Sequence, residues 1–130
     1  MKSTDLMIGD WVNHINLDYI QVSAIDNYNI NAFGEIESID VYDIEPILLT
    51  PEILEKNGLT NHRFSDSDFA DYEEWYSDDK RLRVIKDKQG MFARVEDEQL
   101  EYMKAGGIVE FVHDWQHLLK HAKIEKEIIL

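Results

Sequence analysis

Three histidines, His113, His117 and His121, stand four residues apart in "GIVEFVHDWQHLLKH", and Asp114 follows the first of them. Imidazoles at i and i+4 leave an α-helix on one side and can reach a single ion, as they do in the H-E-x-x-H helix of zinc hydrolases. "HDWQH" differs from that motif by one methylene. The chemistry would be hydrolysis by a zinc-bound water, with Asp114 as the base. Catalytic zinc also asks for a third protein ligand and for a base that reaches the water. At the spacing of the longer metzincin motif the third position is Lys123, which is no ligand, and aspartate is too short to repeat the glutamate geometry. Non-catalytic binding of Zn²⁺, Ni²⁺ or Cu²⁺ by His113/His117 or His117/His121, or a metal bridge between two copies, asks for less. The expected reading is a non-enzyme with no cofactor; a zinc site on His113, His117 and His121, or a metal-dependent hydrolase built on it, is the alternative.

These imidazoles need a helix to position them. At about 100° per residue, a helix over roughly 109–122 puts Phe111, Trp115, Leu118 and Ala122 in one stripe, flanked by Val112 and Leu119. The three histidines fall on the opposite side, near Glu110, Asp114 and Lys120. The pattern predicts an amphipathic helix whose apolar stripe enters the core and whose wet face carries the imidazoles.

A second constellation lies in "SDSDFADYEEWYSDD", residues 65–79, with seven acids, no base and four aromatics. It opens like a calcium loop, with Asp66 and Asp68 at the first and third positions. Ala70, Asp71 and Ser77 then occupy the fifth, sixth and twelfth positions, where a ligand, a glycine and a glutamate are required. Calcium is therefore not expected. Asp66, Asp68, Asp71, Glu73, Glu74, Trp75, Tyr76, Asp78 and Asp79 remain the candidate interaction surface, one that could imitate nucleic-acid charge towards a basic protein. The competing reading is a solvated acidic segment whose aromatics pack inward. Trp11, Tyr19 and Tyr28 pose the same choice between a peptide groove and the core.

Charge disfavours a polyanion; it leaves room for a basic protein partner, and the plainer reading is a surface whose charge keeps the chain soluble. The chain has 13 basic and 27 acidic residues. Residues 1–50 hold nine acids against Lys2 alone, 51–80 hold nine against three, and 81–130 hold nine of each. The whole excess sits in the first 80 residues, which disfavours direct nucleic-acid binding and anionic membranes. No G-x-S-x-G turn, phosphate-binding glycine loop or cysteine appears, so nucleophilic and thiolate chemistry have no visible carrier. Absence of cysteine, of a signal-peptide pattern and of a long apolar run predicts a cytoplasmic protein with no membrane span.

The remaining elements read as an α+β fold. "DWVNHI", "YIQVSAI" and "YNINAF" are strands, with Gly9-Asp10 as the entry to the first and "NLD" as a turn. "EIESIDVYDIEPILL" reads as two strands with a bend. "LTPEILEKNGL" is a capped helix with Thr50 at N-cap, Pro51 at N1 and Gly58 at a left-handed C′ position. "RLRVIKD" and "GMFARVED" form a hairpin with Gly90 at positive φ. "LEYMKAGG" suggests a short strand broken at Gly106-Gly107, and "KEIIL" a final strand. Residues 65–79 fit helix or strand. The expected organisation is a single domain of 130 residues, with a small antiparallel β lobe over 1–50, for which an SH3-like barrel is the candidate form, and a short helix, hairpin and C-terminal amphipathic helix over 51–130 sharing its core.

"IGDWV…YIQVSAI", "IEPILLTPEILEKNG" and "FVHDWQHLL…IEKEI" together resemble an uncharacterised family of small acidic proteins from gut anaerobic bacteria and their mobile or phage-derived elements. The resemblance covers most of the chain and is weakest in the acidic middle. It implies origin and a shared fold, and it attaches no activity to any residue. The function expected from the whole is a non-catalytic acidic binding or accessory module that takes a basic protein partner, with its oligomeric state open.

Overall fold

In the computed structural model, which describes residues 1–64 and 72–130, the first strands form where apolar residues alternate. β1 (Trp11–His14) pairs antiparallel with β2 (Asp18–Ile25), and β2 with β3 (Asn29–Ala32). The paired positions Val12 and Ile20, then Val22 and Ala32, are buried. The polar residues between them face outward, as a half-buried sheet requires. Gly9, at φ 96°, turns the chain into β1, and its N–H donates to Val22 O at 2.7 Å. The two expected strands after Gly34 are short: β4 (Ile39–Asp40), then a 3₁₀ turn over Val41–Asp43, then β5 (Ile44–Glu45). β5 returns beside β1, giving the order β4-β3-β2-β1-β5. Leu6, Val12, Ile20, Val22, Ile30, Ala32, Ile39, Val41 and Ile44 form its core.

That lobe, residues 1–48 with 111–113, is one of two compact units; the other is 49–110 with 114–130. The second unit opens with α1 (Pro51–Lys56). Thr50 Oγ1 accepts from Ile53 N–H at 3.3 Å and Gly58 sits at φ 86°, the two ends the sequence marks. Five strands follow as an antiparallel meander: β6 (Thr60–Phe64), β7 (Tyr72–Tyr76), β8 (Leu82–Asp87), β9 (Gly90–Glu96) and β10 (Met103–Val109). Trp75, Val84 and Ala93 lie side by side across three strands, all 0% exposed. A row that steps down from tryptophan to alanine lets one large ring fill the interior while the backbones stay in register. α2 (Val112–His121) closes the order of elements.

Four expectations change. The open segment 65–79 resolves, over its described part, into strand β7. Gly106-Gly107 is not a break, because β10 runs through both and pairs Gly106 with Arg94 and Gly107 with Ala93. The C-terminal helix starts at Val112 rather than Val109, whose amide plane is committed to the sheet. "KEIIL" is not a strand; Ile129 instead donates to and accepts from the side chain of Asn57. Asn57 is buried, and its three bonds to Ile53 O (2.7 Å), Ile129 O (2.8 Å) and Ile129 N (2.8 Å) tie the end of α1 to that segment.

Candidate functional site

The histidine helix buries a different stripe from the one expected. Val112, Trp115, Gln116, Leu119 and Ala122 are buried, while Phe111 and Leu118 are only half-buried. At 100° per residue this rotates the buried face by roughly 70° towards Gln116 and His113. His113 was expected on the wet face; it is buried at 7% exposure, and its ring stacks on Phe111 at 5.7 Å between centroids. His117 is half-buried and His121 exposed. The three imidazoles thus occupy three environments rather than one surface. Asp114 is spent locally, its Oδ2 accepting from Glu110 N–H at 3.0 Å. Among the described residues, no group of three or more His, Cys, Asp or Glu side chains converges to hold a metal ion.

The acidic constellation divides likewise. Asp66, Asp68 and Asp71 lie outside the described residues. Trp75 was expected to contribute to an interaction surface; it belongs instead to the buried row of the sheet. Strand alternation turns its neighbours to the other face. There Glu74, half-buried, pairs with Arg83 at 3.4 Å, and Tyr76 stacks on His62 and shares a hydrogen bond with it. The same face carries Arg94 directly opposite Arg83, and Arg94 pairs with the buried Glu96 at 2.6 Å. Two arginines in register would repel, and each is answered by its own carboxylate. Glu73 is half-buried on the Trp75 side of the strand.

Asp78 and Asp79 are exposed in the β7–β8 turn, where they help line an open hollow of about 450 Å³ with Arg81, Lys126 and the end of α1. Ser77 Oγ donates to Asp79 Oδ1 at 2.6 Å, and Arg81 N–H donates to the same oxygen at 3.0 Å. Chiefly through the serine bond, the Asp79 carboxyl is held below its ordinary value. Charges of both signs line this hollow, so it has no single electrostatic preference.

The exposed acidity that remains concentrated lies in the first unit. Asp5, Asp18, Asp26, Glu35, Glu37, Asp40 and Glu45 are all exposed, with Lys2 as the only base of residues 1–50. Aromatics stand among them. Tyr19, Tyr28 and Tyr42 are 51%, 69% and 81% exposed, so the tyrosines named from sequence are not core residues, while Trp11 is half-buried. Val41 N–H donates to Tyr28 O at 3.0 Å, and Asn29 pairs with Asp40. This ladder brings Tyr28 and Tyr42 to one end of β3–β4, flanked by Asp26, Asp40 and Asp43. Tyr42 was not singled out from sequence. Its signal is the aspartate on each side of "DVYD", whose Asp40 Oδ1 caps the 3₁₀ turn by accepting from Tyr42 N–H at 2.9 Å.

No protein-family model, curated protein or solved structure matches the chain. No helix among the described residues is long and apolar enough to cross a membrane.

Proposed function

We propose that the protein is a non-catalytic binding module that engages a basic protein partner through the acidic, tyrosine-bearing surface of its N-terminal unit. The observation that carries this reading is the placement of Tyr28 and Tyr42, both largely exposed, among Asp26, Asp40 and Asp43. Tyrosine presents a large, stiff contact area at small entropic cost and is favoured at binding surfaces. Its ring face attracts an arginine or lysine side chain. Carboxylates around it raise the encounter rate of a positively charged partner and exclude acidic ones. The resemblance to proteins of mobile elements fits a role that acts by occupying another protein.

The test is affinity capture with the wild-type chain, with Asp26→Asn/Asp40→Asn/Asp43→Asn and with Tyr28→Ala/Tyr42→Ala. Asparagine keeps the hydrogen-bond acceptors at Asp26 and Asp40, so the first variant removes charge without removing the turns. The wild type should retain a basic protein that both variants lose and that about 0.5 M salt releases, because exposed charges are screened within a few ångströms at that concentration. A partner held equally by all three forms removes this surface from the function.

A further inference from the structure

We propose that the outer edge of β10 pairs antiparallel with β10 of a second copy, joining two five-stranded sheets into one. The direction of the backbone groups follows from the β8–β9 turn. Asp87 pairs with Gly90 across a two-residue loop, so the Gly90 N–H and C=O point at β8. Alternation then turns Met91, Ala93 and Val95 towards β10. Their partners Val109, Gly107 and Ala105 point back at β9, which leaves Gly106 and Ile108 pointing outward. Glu110, on the same outward parity, already accepts from Leu49 N–H at 3.0 Å. The chain itself therefore uses the far end of this edge for strand pairing, and no bond among the described residues closes Gly106 and Ile108.

Natural edge strands are normally blocked by charge, proline or a bulge. Here the bulge falls between Met103 and Ala105, and the regular stretch Ala105–Val109 holds neither proline nor charge. Gly106 is exposed, and since glycine has no side chain the exposed surface is backbone. Ile108 is 84% exposed and Met103 50%, and the Met103 thioether and Phe92 ring close over the face of Gly106. These side chains form an apolar corner at the edge.

A second copy of the chain fits this edge on three counts. A two-fold axis at Gly106 makes its outward groups partners of their own symmetry mates and sets Ala105 opposite Gly107, with each Ile108 facing the Met103–Ala105 bulge of its mate. Both apolar corners then meet across the join. Charge permits the approach, because residues 81–130 carry nine acids and nine bases while the acidic excess lies earlier in the chain. The contact is at the small end of interface sizes, under about 1,200 Å², so the dimer is weak and exchanges with monomer.

Sedimentation of the full chain from about 10 µM to about 1 mM, a range that spans weak association, should show monomer passing to dimer. Over the same range the Gly106 and Ile108 amides should become protected from hydrogen exchange. The register supplies a charge test at a residue too exposed to matter for folding. Ile108→Lys brings a lysine to the bulge that carries Lys104 in the second copy and should weaken association at least tenfold; Ile108→Glu brings a carboxylate there and should tighten it. A wild-type chain that stays monomeric throughout, or two variants that shift association in the same direction, overturns the proposal.

Discussion

Asp79 is held by two donors that the turn itself supplies, the Ser77 hydroxyl and the Arg81 backbone N–H. Both favour the charged carboxylate, which is why its folded pKa lies below that of an unfolded aspartate. The sign for stability follows. The contribution is fully present above the unfolded value of about 3.9 and is lost as pH falls through the lower folded value. Removing the hydroxyl should return the group most of the way. In a carboxyl-carbon NMR titration, Asp79 of Ser77→Ala should titrate at higher pH than in the wild type. Equal midpoints in the two forms would assign the shift to something other than this bond. Because the side chain is largely in water, the effect is one of titration rather than of large stability.

At the scale of elements, the end of α1 is joined to the segment after α2 by two side chains, Lys56 Nζ donating to Leu130 O at 3.0 Å and the buried Asn57 bonding Ile129. Asn57 spends both its donors and its acceptor on Ile53 O, Ile129 O and Ile129 N while almost fully buried. Asn57→Ala would leave the Ile129 N–H and C=O without these partners, at a cost of about 1–3 kcal/mol. The Ile129 amide should then lose protection from hydrogen exchange before the β8–β9 amides do. Uniform loss across the second unit would mean that the asparagine supports the whole unit rather than this junction. The two ends of α1 were legible in the sequence because Thr50, Pro51 and Gly58 act within one turn of the residues they serve. The β8–β9 hairpin was legible for the same reason, its loop being closed by Gly90. The course of β10 through Gly106-Gly107 was not, since only pairing with Arg94 and Ala93 on β9 makes two glycines a strand. The same holds at the candidate sites. Periodicity found an amphipathic helix, yet it treated Gln116 and His113 as polar and so misplaced the stripe. It also could not choose between surface and core for Trp75, because nothing local says which face of β7 meets Val84.

At the scale of the molecule, charge is distributed against the grain of the fold's own stability. Seven exposed carboxylates of the first unit share the sequence of residues 1–50 with one lysine. No ion pair is formed by them among the described residues, whereas the second unit answers its charges strand by strand through Glu74–Arg83 and Glu96–Arg94. Unanswered like charge destabilises the compact state. Salt should therefore stabilise this protein. Between about 10 mM and 150 mM ionic strength the Debye length shrinks from about 30 Å to about 8 Å, which removes repulsion between separate carboxylates and leaves short, half-buried pairs in place. Thermal unfolding followed by circular dichroism should show Tm rising across that range. The rise should shrink in Asp26→Asn/Asp40→Asn/Asp43→Asn, which lowers the repulsion before any salt is added. A Tm that falls with salt would mean that attractive pairs outweigh repulsion. A surface that costs stability when alone is one whose charge a basic partner neutralises on binding, so the same three substitutions that raise Tm at low salt should weaken capture of that partner.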